Sequence, residues 1–281
     1  AVAFATRATL SVVKSFPMIA LQPSVPNLIC ILISFILFDF QPYSYYPTNL
    51  WIKFQKIEFS FDEFRFMIDS HRHQGLRKKM ISIIQSKGID DQKVIEAIGR
   101  VPRHVFLDKA FVEIAYEDRA FPIGEGQTIS HPYTVAYQTQ LLHIQPGDKI
   151  LEIGTGSGYQ AAVLAEMGAN VYSIERVKAL FDRTRPILKG LGYKKIRCFY
   201  GDGYAGIPDL DPFDKIIITA AAPEIPNTIL KQLKVSGILI IPYGIGEKQQ
   251  MLKIIRVSEN EFDQETLDSF SFVPMLRGKN E

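Results

Sequence analysis

The spacing of hydrophobic positions changes along the chain, and each change marks a different kind of segment. From Leu28 to Phe38 (LICILISFILF) the run is apolar apart from Ser34. As a helix it would span about 16 Å, short of the roughly 30 Å hydrocarbon core. Pro26, Pro23 and Pro17 oppose its extension backwards. From Gly75 a helical period sets in: Leu76, Met80, Ile83 and Ile84 share a face, and Gly88 closes the helix. Asp90 and Asp91 cap a second helix that carries Val94, Ile95 and Ile98 on one side and ends near Gly99. A new turn begins at Val101-Pro102-Arg103-His104, and Phe121–Pro132 (FPIGEGQTISHP) reads as a loop. An apolar helix then runs from about Tyr133 to Leu142.

After the turn Gln145-Pro146-Gly147-Asp148 the period shortens. Lys149–Ile153, Asn170–Ile174, Ile196–Tyr200, Phe213–Thr219 and Gly237–Pro242 are apolar runs of strand length. Segments of helix length, such as Tyr159–Met167 and Val177–Leu191, separate most of them. Strand–helix alternation predicts a parallel sheet covered on both faces. Pro186 is expected to kink or split the second of those helices. Met251–Val257 and Phe270–Met275 follow without a clear helix between them, which predicts an antiparallel pair at one edge. No internal repeat or low-complexity tract is present.

Composition changes the picture at one seam. All 19 glycines lie at or after Gly75, whereas 10 of the 19 phenylalanines precede Met67. Up to Ile52 the only charges are Arg7, Lys14 and Asp39. Arg7 and Lys14 could head a signal peptide, but no small-x-small cleavage site follows Leu28–Phe38. The segment 1–66 is therefore read either as a mis-assigned upstream extension, with translation starting at Met67, or as a signal- or anchor-like tail. Over the whole chain, 32 basic and 30 acidic residues give a formal charge of +2, which excludes a strongly basic nucleic-acid surface. Apolar residues at 47% and charged residues at 22% exclude a disordered chain, a collagen and a multi-span membrane protein. Cys30 and Cys198 are too few for a disulfide scaffold or a cysteine-based zinc site.

Candidate chemistry begins at Ile150-Leu151-Glu152-Ile153-Gly154-Thr155-Gly156-Ser157-Gly158, where an apolar strand runs into three alternating glycines and then a helix. Such a loop lets a ligand approach the backbone over a helix N-terminus. Tyr159 stands where the dinucleotide fingerprint needs its third glycine, which disfavours a pyrophosphate and a nicotinamide oxidoreductase. Glu175, at the end of the next strand and 19 residues after Gly156, is placed either to accept ribose hydroxyls or to pair with Arg176 in solvent. Asp202, in Gly201-Asp202-Gly203 at the end of the third strand, is placed to accept from an adenine amino group. Three such features on consecutive strands favour an adenosyl ligand. His71 and His73 form an H-x-H with no third metal ligand evident nearby, and His104 beside Arg103 is read as ordering its turn.

The motifs LEIGTGSGYQAAVLA, VYSIER, GDG, FDKIIITAAAPEIP and LKVSGILIIPYG resemble those of class I S-adenosylmethionine-dependent methyltransferases. More narrowly, VPRHVF (101–106), GQTISHPYTVA (126–136), TAAAPEIP (219–226) and FVPML (272–276) resemble the bacterial-type protein-L-isoaspartate O-methyltransferase family over about Asp69 to Leu276. The resemblance implies a Rossmann-like, doubly wound, mostly parallel α/β sheet of about seven strands with an N-terminal helical subdomain. The methyltransferase domain is expected over 67–281, with helices and lid in 67–145 and the core in 146–281. Implied with it are S-adenosyl-L-methionine as cofactor and methyl transfer to the free α-carboxylate of L-isoaspartyl residues in damaged proteins. The ester then closes to a succinimide that reopens partly to normal aspartate. A different small-molecule or protein carboxylate acceptor is the alternative, and a non-catalytic membrane-tethered module is a third reading.

By the same carry-over, Ser130 contacts the acceptor carboxylate, against the bland reading of a helix cap. Gln127, Thr128 and Ile129 shape a lid over the cofactor. Glu152, Gly154, Thr155, Gly156, Gly158, Glu175, Arg176, Asp202, Gly203 and Gln250 are expected around it. His131, Ala221, Ala222, Val273, Pro274 and Met275 are expected along the peptide groove. His131 stands where many members carry glutamine or alanine, so no catalytic role is assigned to it. The expected protein is a cytoplasmic monomer with no metal and no nucleic-acid partner, membrane-associated only if the apolar N-terminal segment is genuine.

Overall fold

The structure, a computed structural model, describes residues 69–280. The N-terminal extension 1–66 and the boundary at Met67 lie outside the described residues. Helices α1 (His71–Ser86) and α2 (Gln92–Arg100) come first. The Asp91 side chain caps α2, accepting from the Lys93 and Val94 amides. Tight helical turns at Arg103–Phe106 and Lys109–Ile114 lead to strands β1 (Phe121–Gly124) and β2 (Gln127–Ile129), then α3 (Pro132–Leu141). The expected loop at 121–132 is thus in part an antiparallel hairpin turning through Glu125 and Gly126, both at positive φ. Its strands are too short, and too rich in Gly and Pro, to show a period.

The core is β3 (Lys149–Ile153), α4 (Tyr159–Glu166), β4 (Asn170–Glu175), α5 (Lys178–Gly190), β5 (Ile196–Tyr200) and β6 (Phe213–Ile218). Then come α6 (Asn227–Gln232), β7 (Leu233–Tyr243), β8 (Gln249–Arg256) and β9 (Phe262–Phe270). These strands form a seven-stranded sheet in the order β5-β4-β3-β6-β7-β8-β9. Pairing is parallel from β5 to β7, and antiparallel for β7–β8 and β8–β9. Alternate residues face two apolar layers, Ile150 and Ile217 on one side, Leu151, Ile153, Ile216 and Ile218 on the other. Both faces being covered, the strands read as nearly continuous apolar runs.

Two expectations change. Pro186 lies within α5, which is not split there. The last strand is Phe262–Phe270, not Phe270–Met275, because an edge strand with mostly exposed positions loses its apolar alternation. Residues 272–275 lie against another part of the fold. The Ala221 amide donates to the Val273 carbonyl and the Met275 amide to the Ala221 carbonyl, both at 2.7 Å.

Candidate functional site

The strand order reverses at β3, with β4 and β5 added on one side and β6 on the other, which opens a crevice at the carboxyl ends of the strands. A cleft open to solvent lies there. It is lined by the glycine loop, the end of β4, the hairpin strand β2 and the segment Val273–Leu276.

The glycine loop is held from every side. Gly154, at φ +100°, lies where a Cβ would stand 2.5 Å from Thr219 Oγ1, and that hydroxyl donates to the Gly154 carbonyl at 2.8 Å. A side chain at Gly154 is therefore excluded by both conformation and space. Glu175 accepts the Gly156 amide at 2.8 Å and the Val177 amide at 2.9 Å. Thr184 Oγ1 donates to the Gly156 carbonyl at 2.7 Å, and Thr155 shares a hydrogen bond with the Ser173 hydroxyl at 2.6 Å. The loop is pre-organised, and the Glu175 carboxylate, only 5% exposed, lies on the cleft wall.

Ser130 lines the same cleft. It does not cap α3: His131 holds the cap position, and Asp118 accepts the Tyr133 amide at 2.9 Å. Among the described residues the Ser130 hydroxyl has no hydrogen bond within the protein, while its carbonyl accepts from Arg103 Nη2 at 2.7 Å. Gln127, Thr128 and Ile129 line the same cleft, as do Thr155, Arg176, Gly203, Val273, Pro274 and Met275.

Several expected residues stand elsewhere. Glu152 is 0% exposed on the Ile150 face of β3, hydrogen-bonded to the Ser173 hydroxyl beneath the loop. Burial, set against that bond and aggravated by Glu175, pushes its carboxyl up to about 8. It supports the loop rather than a ligand. Gly158, at φ +87°, opens α4 with its missing Cβ facing Thr184 and Leu188, so it serves close packing. Asp202 is not on the cleft wall: its oxygens accept the Tyr204 and Gly278 amides, each at 2.9 Å. Gln250 is exposed and pairs across from Tyr243 and Ser269, away from the cleft. Ala221 and Ala222 are buried behind the wall, which Ala220 forms instead. His131 is exposed outside the cleft, its Nδ1 3.0 Å from the Asp118 carbonyl.

The histidine pair also differs from expectation. Not His71 but Asp69 and His104 gather with His73, their candidate ligand atoms within 4.8 Å of one another. Arg77 donates to both Asp69 oxygens, at 3.1 and 2.6 Å, and the His73 and His104 rings lie 3.8 Å apart.

Sequence reasoning missed Gln249, Thr219 and the supporting role of Arg103. Gln249 is buried and accepts the Phe272 amide at 2.9 Å, anchoring the start of the Val273–Met275 wall. Its signal was present only as the neighbour of the residue chosen. Among the described residues no helix is long and apolar enough to cross a membrane.

The arrangement fits an adenosyl sulfonium: a glycine-rich loop, an anchored carboxylate with lone pairs left over, and apolar walls from Ile153, Ile174 and Leu180. Comparisons agree. A family model described as protein-L-isoaspartate(D-aspartate) O-methyltransferase matches residues 75–280. A protein-L-isoaspartate O-methyltransferase from Cytophaga hutchinsonii is 55% identical over 210 residues, 75% of this chain and 95% of the relative. One from Christiangramia forsetii is 53% identical over 214 residues, 76% of this chain and 100% of the relative. A solved Plasmodium falciparum structure of that description, in complex with S-adenosyl-L-homocysteine, is 25% identical with a TM-score of 0.64. The match covers 74% of this chain and 99% of that one.

Proposed function

The chain belongs to the protein-L-isoaspartate(D-aspartate) O-methyltransferase family, and on that premise we propose which of its residues carry the reaction. The enzyme transfers a methyl group from S-adenosyl-L-methionine to the free α-carboxylate of L-isoaspartyl residues in damaged proteins. When bound, the donor supplies an electrophilic methyl group on a sulfonium.

In this reading Gly154, Thr155 and Gly156 give the donor a close backbone floor, and Glu175 accepts from its ribose hydroxyls. Gln127, Thr128 and Ile129 cover it, with Arg176 and Gly203 at the sides. Asp202 acts at one remove, holding Gly278. Ser130 donates its hydroxyl to one acceptor oxygen and aims the other along the line of transfer. The acceptor carboxylate has an ordinary pKa near 4 and is already ionised at neutral pH, so no general base is required. Orientation and exclusion of water remain for the protein to supply. Val273, Pro274 and Met275 line the acceptor side.

The observation that carries this reading is that Glu175 and Ser130 line one cleft. We read the working unit as a cytoplasmic monomer; among the described residues Cys198 is a free cysteine, which suits a reducing compartment. The test offers labelled S-adenosyl-L-methionine with paired peptides that differ only in isoaspartate or aspartate. Base-labile label on the isoaspartyl peptide alone is expected; equal labelling of both, or of neither, would overturn the reading.

A further inference from the structure

We propose that Arg103 is a positioning residue for the acceptor, fixing the Ser130 backbone from behind the cleft wall and holding positive charge at the carboxylate end of the cleft. The inference rests on the acceptor carboxylate meeting Ser130, as read above.

Arg103 is 0% exposed, so it touches no ligand. Its Nη2 donates to the Ser130 carbonyl at 2.7 Å and its Nε to the Ala115 carbonyl at 2.9 Å. Its guanidinium carbon lies 4.7 Å from the centre of the Tyr159 ring. Ser130 and Tyr159 both line the cleft, so one planar group braces the acceptor wall against the first residue of α4.

The electrostatics are unusual. Both acceptors of Arg103 are neutral carbonyls, and among the described residues its Nη1 has no hydrogen-bond partner. Burial lowers the Arg103 pKa from its ordinary value, offset first by Tyr159 and then by Asp118, which is itself paired with Lys87 at 2.5 Å. Burying a cation without a hydrogen-bonded anion is costly, and two carbonyls alone could be bridged by neutral donors. A guanidinium stays charged under such conditions. The charge finds its use when an anionic acceptor arrives at Ser130. Glu175 lines the same cleft, so the site then carries both signs, matching a cationic donor and an anionic acceptor. Fixed charge orients reactants without reorganisation.

The experiment measures kcat and KM for an isoaspartyl peptide, and the Kd of S-adenosyl-L-homocysteine by calorimetry, in the full chain carrying Arg103→Met or Arg103→Lys. Arg103→Met is expected to raise the peptide KM about tenfold or more while the nucleoside Kd changes less than about twofold. Arg103→Lys keeps the charge but loses the fork, and should recover part of the peptide KM. Peptide KM and nucleoside Kd worsening equally in both variants would overturn the proposal, as scaffold damage does. Should Arg103→Met fail to fold, Arg103→Lys decides: a lower Tm with an unchanged peptide KM overturns it. No labelling by the unmodified protein would overturn the functional reading and this inference with it. Normal labelling with an unchanged KM in both variants overturns this inference alone.

Discussion

The Glu175 carboxylate accepts the Gly156 amide at 2.8 Å, bolting the end of β4 to the glycine loop that follows β3. Its other oxygen accepts the Val177 amide at 2.9 Å, so the side chain is fixed before any ligand arrives. Lone pairs remain on both oxygens for a ribose diol. Glu175→Gln replaces one acceptor with a donor and leaves one backbone amide unmatched. The Kd of S-adenosyl-L-homocysteine should rise about 10- to 100-fold, from a loss of about 1–3 kcal/mol. Calorimetry giving an unchanged Kd would remove Glu175 from the donor site.

Ser130 behaves differently, because its hydroxyl is not spent on the fold. Ser130→Ala should leave Tm and donor affinity as they are. Turnover on an isoaspartyl peptide should fall about 10- to 100-fold, the scale of one lost oriented donor. Unchanged turnover would take Ser130 out of the mechanism.

Glu152 links the loop to pH. Its folded-state carboxyl is raised to about 8 by burial, well above the ordinary carboxylate value near 4.5. Between those values the folded protein binds the extra proton, so this contribution to stability is full below about 4.5, is lost as pH rises to about 8, and stays lost above it. The slope from this one group is at most about 1.4 kcal/mol per pH unit. Glu152→Gln, neutral throughout, should lose that slope. Urea midpoints measured from pH 5 to 9 should show the variant gaining on the unmodified protein as pH rises. Parallel profiles would show that Glu152 does not titrate in this window.

The sheet, the glycine loop and the direction of its opening were legible because each rests on local chemistry: buried parallel strands are apolar throughout, and Gly154 is forced by backbone and space together. What was not legible depends on where a side chain points. Glu152 lies two residues before Gly154 in a ligand-binding motif, yet strand alternation turns it under the helices with Ile150. Asp202 follows β5 by two residues, but its carboxylate is taken by Tyr204 and, across 76 residues of sequence, by Gly278. Gln249 and Gln250 differ only in which face of β8 they occupy, and a sequence with no clear alternation there cannot choose between them. Arg103 lies in a tight turn without any period, and its partners Ala115 and Ser130 come from separate segments.

The domain boundary is open to a direct test. Every residue that lines the cleft falls between Gln127 and Leu276, and the family match begins at residue 75. A polypeptide starting at Met67 should therefore fold and methylate isoaspartyl peptides with the kcat and KM of the full chain. Loss of solubility or activity in it would refute the boundary.

Gln249 offers a test of how the acceptor wall is held. Its side-chain oxygen accepts the Phe272 amide at 2.9 Å, and its nitrogen donates to the Gly246 carbonyl at 2.7 Å. Just beyond Phe272, Ala221 holds Val273 and Met275 by two backbone bonds. Gln249→Ala leaves two polar groups unmatched near the wall, at a cost of about 1–3 kcal/mol each if they stay dry. Hydrogen exchange at the Ala221 and Met275 amides should quicken, because the segment they pair with has lost its anchor. The peptide KM should rise more than the nucleoside Kd, since Glu175 and the glycine loop keep all their own bonds. Unchanged exchange at those two amides, together with an unchanged KM, would show that the wall is held by the Ala221 pairing alone.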